Sequence, residues 1–522
     1  PTSAVYHDGR TGVEMRNGFS VEHHRSISNV LWTNGILFSR SGFTGTHAFP
    51  AYWAGDNEPN FGVANGLPTA IVAGQSAAMS GYSIWSHDIG GYQDGNHSST
   101  PSNLFMRWTQ FGAFSPLMQM HRQVGTGRQF PWSYGPQAES NYHFYAHLHT
   151  ALFPYRYSYA KASRERGLPV IRPLVLLYPD DPNTHGINHT YLFGNELLVA
   201  VIITNQAVSR DVYLPAGGWH DFWNNAYHPG GQVITWTNAD QRLFPVFVRA
   251  GSIVPMLPTN VQTLLGPEYT GHAGIPSMDA ALSFRVYPGP AASFEVYDGA
   301  RMTCATTGTV VSMVLTSPPR PVVIEVLAPE PHGVERDGVP LPKRANPAAL
   351  ASSGFGWAYD GTAQRVLIRE DAFSGERRYD LGPDSAGDGI TDAWRLFHFG
   401  SAETNAMSCA SCDADLDGMT NLEEYRTGTD PMSANSLLAI TTSSAHVASN
   451  AASILVAWPG VAGLTYSLGW SDSLSNHSAW MFVPGSFTGS GSAILWYDDG
   501  SQTGTAPGQS PTGQRYYRVR VP

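Results

Sequence analysis

Near Thr190 the hydrophobic pattern of this 522-residue chain changes period, and that change restricts the fold to two classes joined in series. Before it, short apolar runs of strand character alternate with longer runs of helical character. Residues 35–40, 83–88 and 169–178 read as strands, the last interrupted by Pro173. Residues 66–80, 103–114 and 144–165 read as helices, and in the second Leu104, Trp108 and Phe111 fall on one face. Such alternation, with polar residues at the C-terminal ends of the strands, predicts parallel βα units. They would form part of a barrel whose working face is that end. After Thr190, short β runs such as 196–202 and 244–249 are separated by turns, and helical patterning is scarce to about residue 380. That predicts β-sandwiches.

The expected organisation is multidomain, α/β followed by β. Residues 1–190 would form the C-terminal half of a (β/α)8 barrel, 191–265 a proximal sandwich and 266–382 a distal sandwich. A small polar unit at 383–435 and a last sandwich at 436–522 would follow. A chain of this length exceeds one core. Its 54 glycines and 37 prolines suit a turn-rich β protein. The prolines of 316–347 read as a β-edge or linker.

Charged residues make up only 14% of the chain, and the net charge of -11 argues against a nucleic-acid partner. No apolar run approaches the roughly 18 residues that a membrane span needs. Three cysteines do not make a disulfide scaffold.

Two stretches of the first region carry chemistry. Arg40 leads into Tyr52-Trp53-Ala54-Gly55-Asp56-Asn57, and Trp85-Ser86-His87-Asp88-Ile89-Gly90-Gly91-Tyr92 is followed by His121. Each sets a carboxylate beside aromatics and glycines after a strand-like run. A pocket that hydrolyses sugars needs acids for the chemistry and flat rings against the apolar sugar face.

A different chemistry is written near the C-terminus. Asp413, Asp415, Asp417, Gly418, Met419, Asn421 and Glu424 occupy the diagnostic positions of a twelve-residue calcium loop. Carboxylates stand at positions 1, 3 and 5, and a glycine allows the turn at 6. The Met419 carbonyl serves position 7, Asn421 position 9, and Glu424 closes the loop. Hard oxygen ligands predict structural Ca²⁺ rather than a transition metal. Upstream, residues 384–392 form a degraded copy in which Ala386 replaces one ligand and Arg395 takes the closing position. Metal binding there is left open. Calcium modules of this kind suggest a secreted, surface or periplasmic protein, where Cys409 and Cys412 can form a local disulfide.

The first region resembles glycoside hydrolase family 31, the α-glucosidase and α-xylosidase family. The resemblance rests on residues 40–56, 87–92, 105–116 and His121, and continues through 152–155, 167–173 and Tyr213-Leu214-Pro215. It is strong over about residues 1–260 and loose beyond. It implies a retaining α-glycosidase, an α-glucosidase in the first instance, on a (β/α)8 barrel, with oligosaccharides or α-glycosides as substrates and no catalytic cofactor. The family's Trp-x-Gly-Asp acid/base falls on Asp56. Arg40 matches its pocket arginine and His121 the histidine that holds ring hydroxyls. Asp88 supports the pocket, touching either sugar or Arg40, and Trp53 lines the sugar face. Tyr92 reads equally as lining or core. The family's nucleophilic Asp is expected upstream of Pro1, because Asp8 stands outside that motif. Residues 1–522 alone are therefore expected to be unstable or inactive. The competing expectation is a catalytically silent carbohydrate-binding or surface protein. α-Xylosides, α-galactosides and sulfonated sugars are the alternative substrates.

Overall fold

The computed structural model describes residues 3–31, 36–49, 51–93, 100–123, 129–264, 281–448, 451–474, 480–505, 507 and 514–522. The chain divides into two compact units, residues 1–301 and 302–522.

In the first unit, helix α1 (Met15–Leu31) precedes three short parallel strands: β1 (Phe38–Ser39), β2 (Ala51–Trp53) and β3 (Trp85–Ser86). β1 pairs with β2 and β2 with β3, and an isolated parallel bridge joins Asp88 to Gln119. Four successive chain segments thus run side by side in one direction. Helices α2 (Leu67–Met79) and α3 (Ser102–Ala113) supply the crossovers.

The 103–114 helix is present, but it is not amphipathic in the expected sense. Its apolar face buries Leu104, Trp108 and Phe111, and Arg107 and Gln110 are equally buried. The Arg107 guanidinium donates to the carbonyls of Ala207 (2.7 Å), Gln241 (3.2 Å) and Leu243 (3.1 Å), and Gln110 Nε2 donates to the Gln241 carbonyl (2.8 Å). The two Nη groups of the buried charge meet carbonyls, and these bonds tie α3 to the β-rich part of the unit.

The single helix expected over 144–165 is two helices, α4 (Pro136–Ala151) and α5 (Phe153–Arg166). Pro154 lacks an N–H and belongs in a first turn, so the helix restarts after Leu152. The strand expected over 169–178 is likewise shorter, at Ile171–Pro173, and the chain then turns into the short helix Leu174–Leu177.

Ile171–Pro173 is already part of the following sheet. Six strands lie in the order Ile171–Pro173, Thr190–Phe193, Leu197–Ala200, Val246–Arg249, Gly218–Asp221 and Tyr227–Pro229. β structure therefore begins before the pattern change at Thr190. Thr190–Phe193 and Leu197–Ala200 are buried at every residue, as expected for strands covered on both faces.

The second unit is dominated by two 18-residue strands, Val310–Leu327 and Arg365–Gly382, paired antiparallel. Of the proline-rich stretch 316–347 expected as an edge or linker, the first part, through Leu327, lies inside the first of these strands. Its register shifts fall between Ser317, Arg320 and Val322, where Pro318, Pro319 and Pro321 remove ladder donors. Residues 383–435 carry two short helices, Asp392–Phe399 and Asn421–Thr427, over a core of Ile390, Trp394 and Tyr425. The last segment forms two small sheets around Val456, Trp458, Tyr466, Leu468 and Trp470. Among the described residues, no helix is long and apolar enough to cross a membrane.

Candidate active site at the strand ends

The residues expected to carry chemistry sit just beyond the C-terminal ends of the four parallel segments. Arg40 directly follows β1, Asp56 lies three residues past β2, Asp88 two past β3, and His121 two past the bridge residue Gln119. Side chains separated by many residues are thereby collected at one edge.

Arg40 Nη1 donates to Asp56 Oδ1 at 2.5 Å. Gln93 Nε2 approaches Asp56 Oδ2 at 3.4 Å, and Asn65 Nδ2 donates to the Asp56 carbonyl at 3.1 Å. The Asp56 side chain is 29% exposed and that of Arg40 54%, so the pair faces solvent. Asp88 is the opposite case, with no exposed surface. Gln119 Nε2 donates to its Oδ1 at 2.7 Å, and His121 Nδ1 lies 4.0 Å from its Oδ2, which has no hydrogen-bond partner. Burial pushes the Asp88 carboxyl up to about 6, against the Gln119 hydrogen bond and the His121 charge and with the Asp56 charge. The sequence leads one to expect that Asp88 touches sugar or Arg40; its partners among the described residues are Gln119 and His121, with no ion pair to Arg40.

Backbone bonds lock the loops that present these groups. Tyr92 N and Gln93 N both donate to the Asn57 carbonyl, at 2.8 and 3.0 Å. The loop after β3 is thus laced to the loop holding Asp56. Gly91 makes this approach possible: its φ is +84°, and a Cβ there would lie 2.7 Å from the Pro59 nitrogen. Only glycine meets both requirements.

The aromatic neighbours divide between pocket and core. Trp53 is half-buried and packs on Phe38 at a centroid distance of 4.9 Å, and its indole N–H is buried without a partner. Tyr92 packs against the His121 ring at 4.9 Å, which places it beside the site. His87 belongs to the core. It accepts from Trp108 Nε1 at 2.9 Å and stacks on Phe111 at 4.0 Å, and burial pulls its imidazole down to about 3. Sequence reading missed Gln93 and Gln119. Both stand beside recognised residues, but an amide carries no charge or spacing signal of its own.

In the second unit, Asp413, Asp415 and Asp417 bring carboxylate oxygens within 4.8 Å of one another. Glu424 is fully buried. The Asn421 Nδ2 donates to the carbonyls of Met407 (2.7 Å) and Cys409 (2.8 Å), leaving its Oδ1 as the atom it has to offer. Met419 N donates to Asp417 Oδ1 at 2.7 Å. Cys409 and Cys412 are joined as a disulfide.

Comparison with known proteins assigns the first unit. Residues 2–159 match the sequence model of the glycosyl hydrolases family 31 TIM-barrel domain, and residues 167–254 that of the family 31 C-terminal domain. An isomaltosyltransferase of Sporosarcina globispora is 31% identical over 393 residues, covering 70% of this chain and 34% of that protein. Alpha-glucosidase 2 of Bacillus thermoamyloliquefaciens is 33% identical over 256 residues, covering 48% and 31%. The chain thus spans about a third of the length of these curated relatives. Among solved structures, a Flavobacterium johnsoniae family 31 dextranase complexed with isomaltotriose superposes with a TM-score of 0.64 at 26% identity, over 72% of this chain and 50% of that one. Over residues 2–254 the chain belongs to glycoside hydrolase family 31.

Proposed function

We propose that the intact protein is a retaining α-glycosidase acting first on α-glucosides, with Asp56 as general acid/base. The observation that carries this reading is the Arg40–Asp56 pair at the open edge of the parallel strands, with Asp88 and His121 on the adjacent ends. In the first step Asp56 donates its proton to the glycosidic oxygen as the bond to the anomeric carbon breaks, and an opposing carboxylate bonds to that carbon. In the second, the Asp56 carboxylate takes a proton from water, and the oxygen of that water displaces the enzyme carboxylate. Arg40 orients the Asp56 carboxyl through both steps. His121 holds sugar hydroxyls, the buried Asp88 positions it from behind, and Trp53 covers the apolar face of the ring.

The reading takes the opposing carboxylate, and the remaining part of the barrel, from outside residues 1–522. Two features support this. Helix α1 fully buries only Met15 and His24, while Val13, Phe19, Val30 and Ile36 are exposed. Phe38, Ala51, Leu117 and Gln119 line an open groove of about 560 Å³. Asp8, which stands outside the nucleophile motif, pairs with exposed Arg10.

Transfer to a sugar acceptor is the second reading, favoured by the likeness to an isomaltosyltransferase. It uses the same Asp56, with a sugar hydroxyl in place of water. The reading also places the protein outside the cytosol, supported by the Cys409–Cys412 disulfide, and fractionating the producing cells tests that location.

The test of activity is incubation of the intact protein with p-nitrophenyl α-glucoside and α-xyloside, with and without added maltose. Nitrophenol release that is faster from the glucoside supports the proposal. Longer oligosaccharides formed with maltose assign transfer, and release from neither substrate overturns the glycosidase reading.

A further inference from the structure

The unit at 383–435 contains two copies of one loop pattern, and the copies solve the same electrostatic problem differently. In the first, Asp384 stands at position 1, Asp388 at position 5, Gly389 at 6, Ile390 at 7 and Arg395 at 12. In the second, Asp413, Asp417, Gly418, Met419 and Glu424 hold those positions, with Asp415 added at 3. The backbones agree at the turn, where Gly389 has φ +92° and Gly418 φ +99°. In both loops the position 1 carboxylate is bound by loop amides. Asp384 accepts from Gly387 N (2.8 Å) and Gly389 N (2.7 Å), and Asp413 accepts from Asp417 N (3.2 Å) and Gly418 N (2.9 Å).

The loops differ at the closing residue. Arg395 has no exposed surface. Its guanidinium pairs with the Asp388 carboxylate at position 5, donates to the Ile390 carbonyl at position 7 (2.9 Å), and reaches the Ser408 carbonyl (3.2 Å). A tethered cation therefore meets the position 5 and 7 oxygens of this copy.

The second copy has no such cation. Asp415 Oδ2 and Asp417 Oδ2 are buried without hydrogen-bond partners. Glu424 is fully buried, and neither of its carboxylate oxygens has a partner. The charges of Asp415, Asp417, Asp430 and Asp413 all bear on it. An unpaired buried carboxylate beside other carboxylates is among the costliest arrangements a protein can hold. Yet the Glu424 helix is built firmly. Thr420 and Glu423 form a capping box at its start, and Asn421 fastens it to the carbonyls of Met407 and Cys409. The acid is held where it is, and a cation is what its oxygens lack.

We propose that residues 413–424 bind a single Ca²⁺ through Asp413, Asp415, Asp417, the Met419 carbonyl and Glu424, and that residues 384–395 bind none, because the Arg395 guanidinium stands where the ion would. The donor set is all oxygen and strongly anionic, which suits Ca²⁺ over softer metals. The pair of loops then carries two cations, one covalent and one exchangeable. This inference is independent of the glycosidase reading, and its test needs no activity.

The test is calorimetric titration of the chelator-treated intact protein with CaCl₂, checked by metal analysis after gel filtration. Wild type is expected to take up one equivalent, with a rise in the thermal midpoint. The Glu424→Gln variant should lose at least tenfold in affinity, and its midpoint should no longer respond to Ca²⁺. Uptake of two equivalents overturns the role given to Arg395. Uptake of none by wild type, or one undiminished equivalent in Glu424→Gln, overturns the site.

Discussion

Arg40 and Asp56 lie 16 residues apart in the chain, and their side chains meet at 2.5 Å beyond the ends of adjacent parallel strands. The parallel pairing of Phe38 with Ala51 and Ser39 with Tyr52 brings them together, because it carries both following segments to the same edge. Both side chains are partly exposed, at 54% and 29%, so the ion pair contributes little to folding. Its value lies in orienting the Asp56 carboxyl.

Replacing Arg40 with Ala separates these two effects. The variant of the intact protein is expected to lose less than about 1 kcal/mol of stability. Its kcat/KM should fall by roughly a hundredfold, the scale of a misplaced catalytic group. Thermal melts and steady-state kinetics on one preparation check this. A large loss of stability with unchanged kcat/KM would show that the pair is structural.

Gly91→Ala tests whether the two laced loops set the geometry at Asp56. The new Cβ would meet the Glu58–Pro59 backbone at 2.7–2.8 Å and require a left-handed conformation. The expected cost is about 1–3 kcal/mol of stability. A fall in kcat should accompany it, because Asn57 is bonded to this loop through the amides of Tyr92 and Gln93. A variant that folds as well as the parent and turns over at the same rate would show that the lacing does not control the site.

The buried Asp88 gives a pH signature. Its carboxyl is pushed up to about 6, mainly by burial, so folding favours its protonated form. A carboxyl raised in the folded state contributes stability that is complete below about pH 4 and is lost as pH rises through about 6. Asp88→Asn removes that dependence. In urea unfolding between pH 4 and 7, the stability of the variant relative to wild type should increase with pH by about 1–3 kcal/mol. Gln119→Leu removes the hydrogen bond that opposes the shift, and should move the wild-type inflection to higher pH. A difference between wild type and Asp88→Asn that stays flat across the range would mean that Asp88 does not titrate as described.

Much of this was legible in the sequence because it depends on spacing. Strand-like runs ending in polar residues mark Arg40, Asp56 and Asp88, the family resemblance adds His121, and the twelve-residue spacing marks the acidic loop. What escaped depends on contacts made at long range. The buried Arg107 of α3 bonds to carbonyls about a hundred residues or more away, at Ala207, Gln241 and Leu243, so no local pattern announces it. Pro173 and Pro154 were visible, but how far each interrupts its element is set by tertiary packing. The prolines of 316–347 read as a β-edge or linker because proline is rare inside strands, whereas a bulged register accommodates Pro318, Pro319 and Pro321 within one. Arg395 was noted as a departure from the calcium pattern. That its guanidinium fills the loop became clear only from its partners.

The most direct test of the central claim compares leaving groups in the Asp56→Asn variant of the intact protein. Hydrolysis of an α-glucoside with a poor leaving group, such as maltose, depends on protonation of the departing oxygen, whereas an activated aryl glucoside depends on it far less. The account predicts a loss of roughly 10²–10⁴-fold in kcat/KM on maltose, and a much smaller loss on the 2,4-dinitrophenyl glucoside. Equal losses on the two substrates, or none on either, would contradict the assignment of Asp56 as the proton donor.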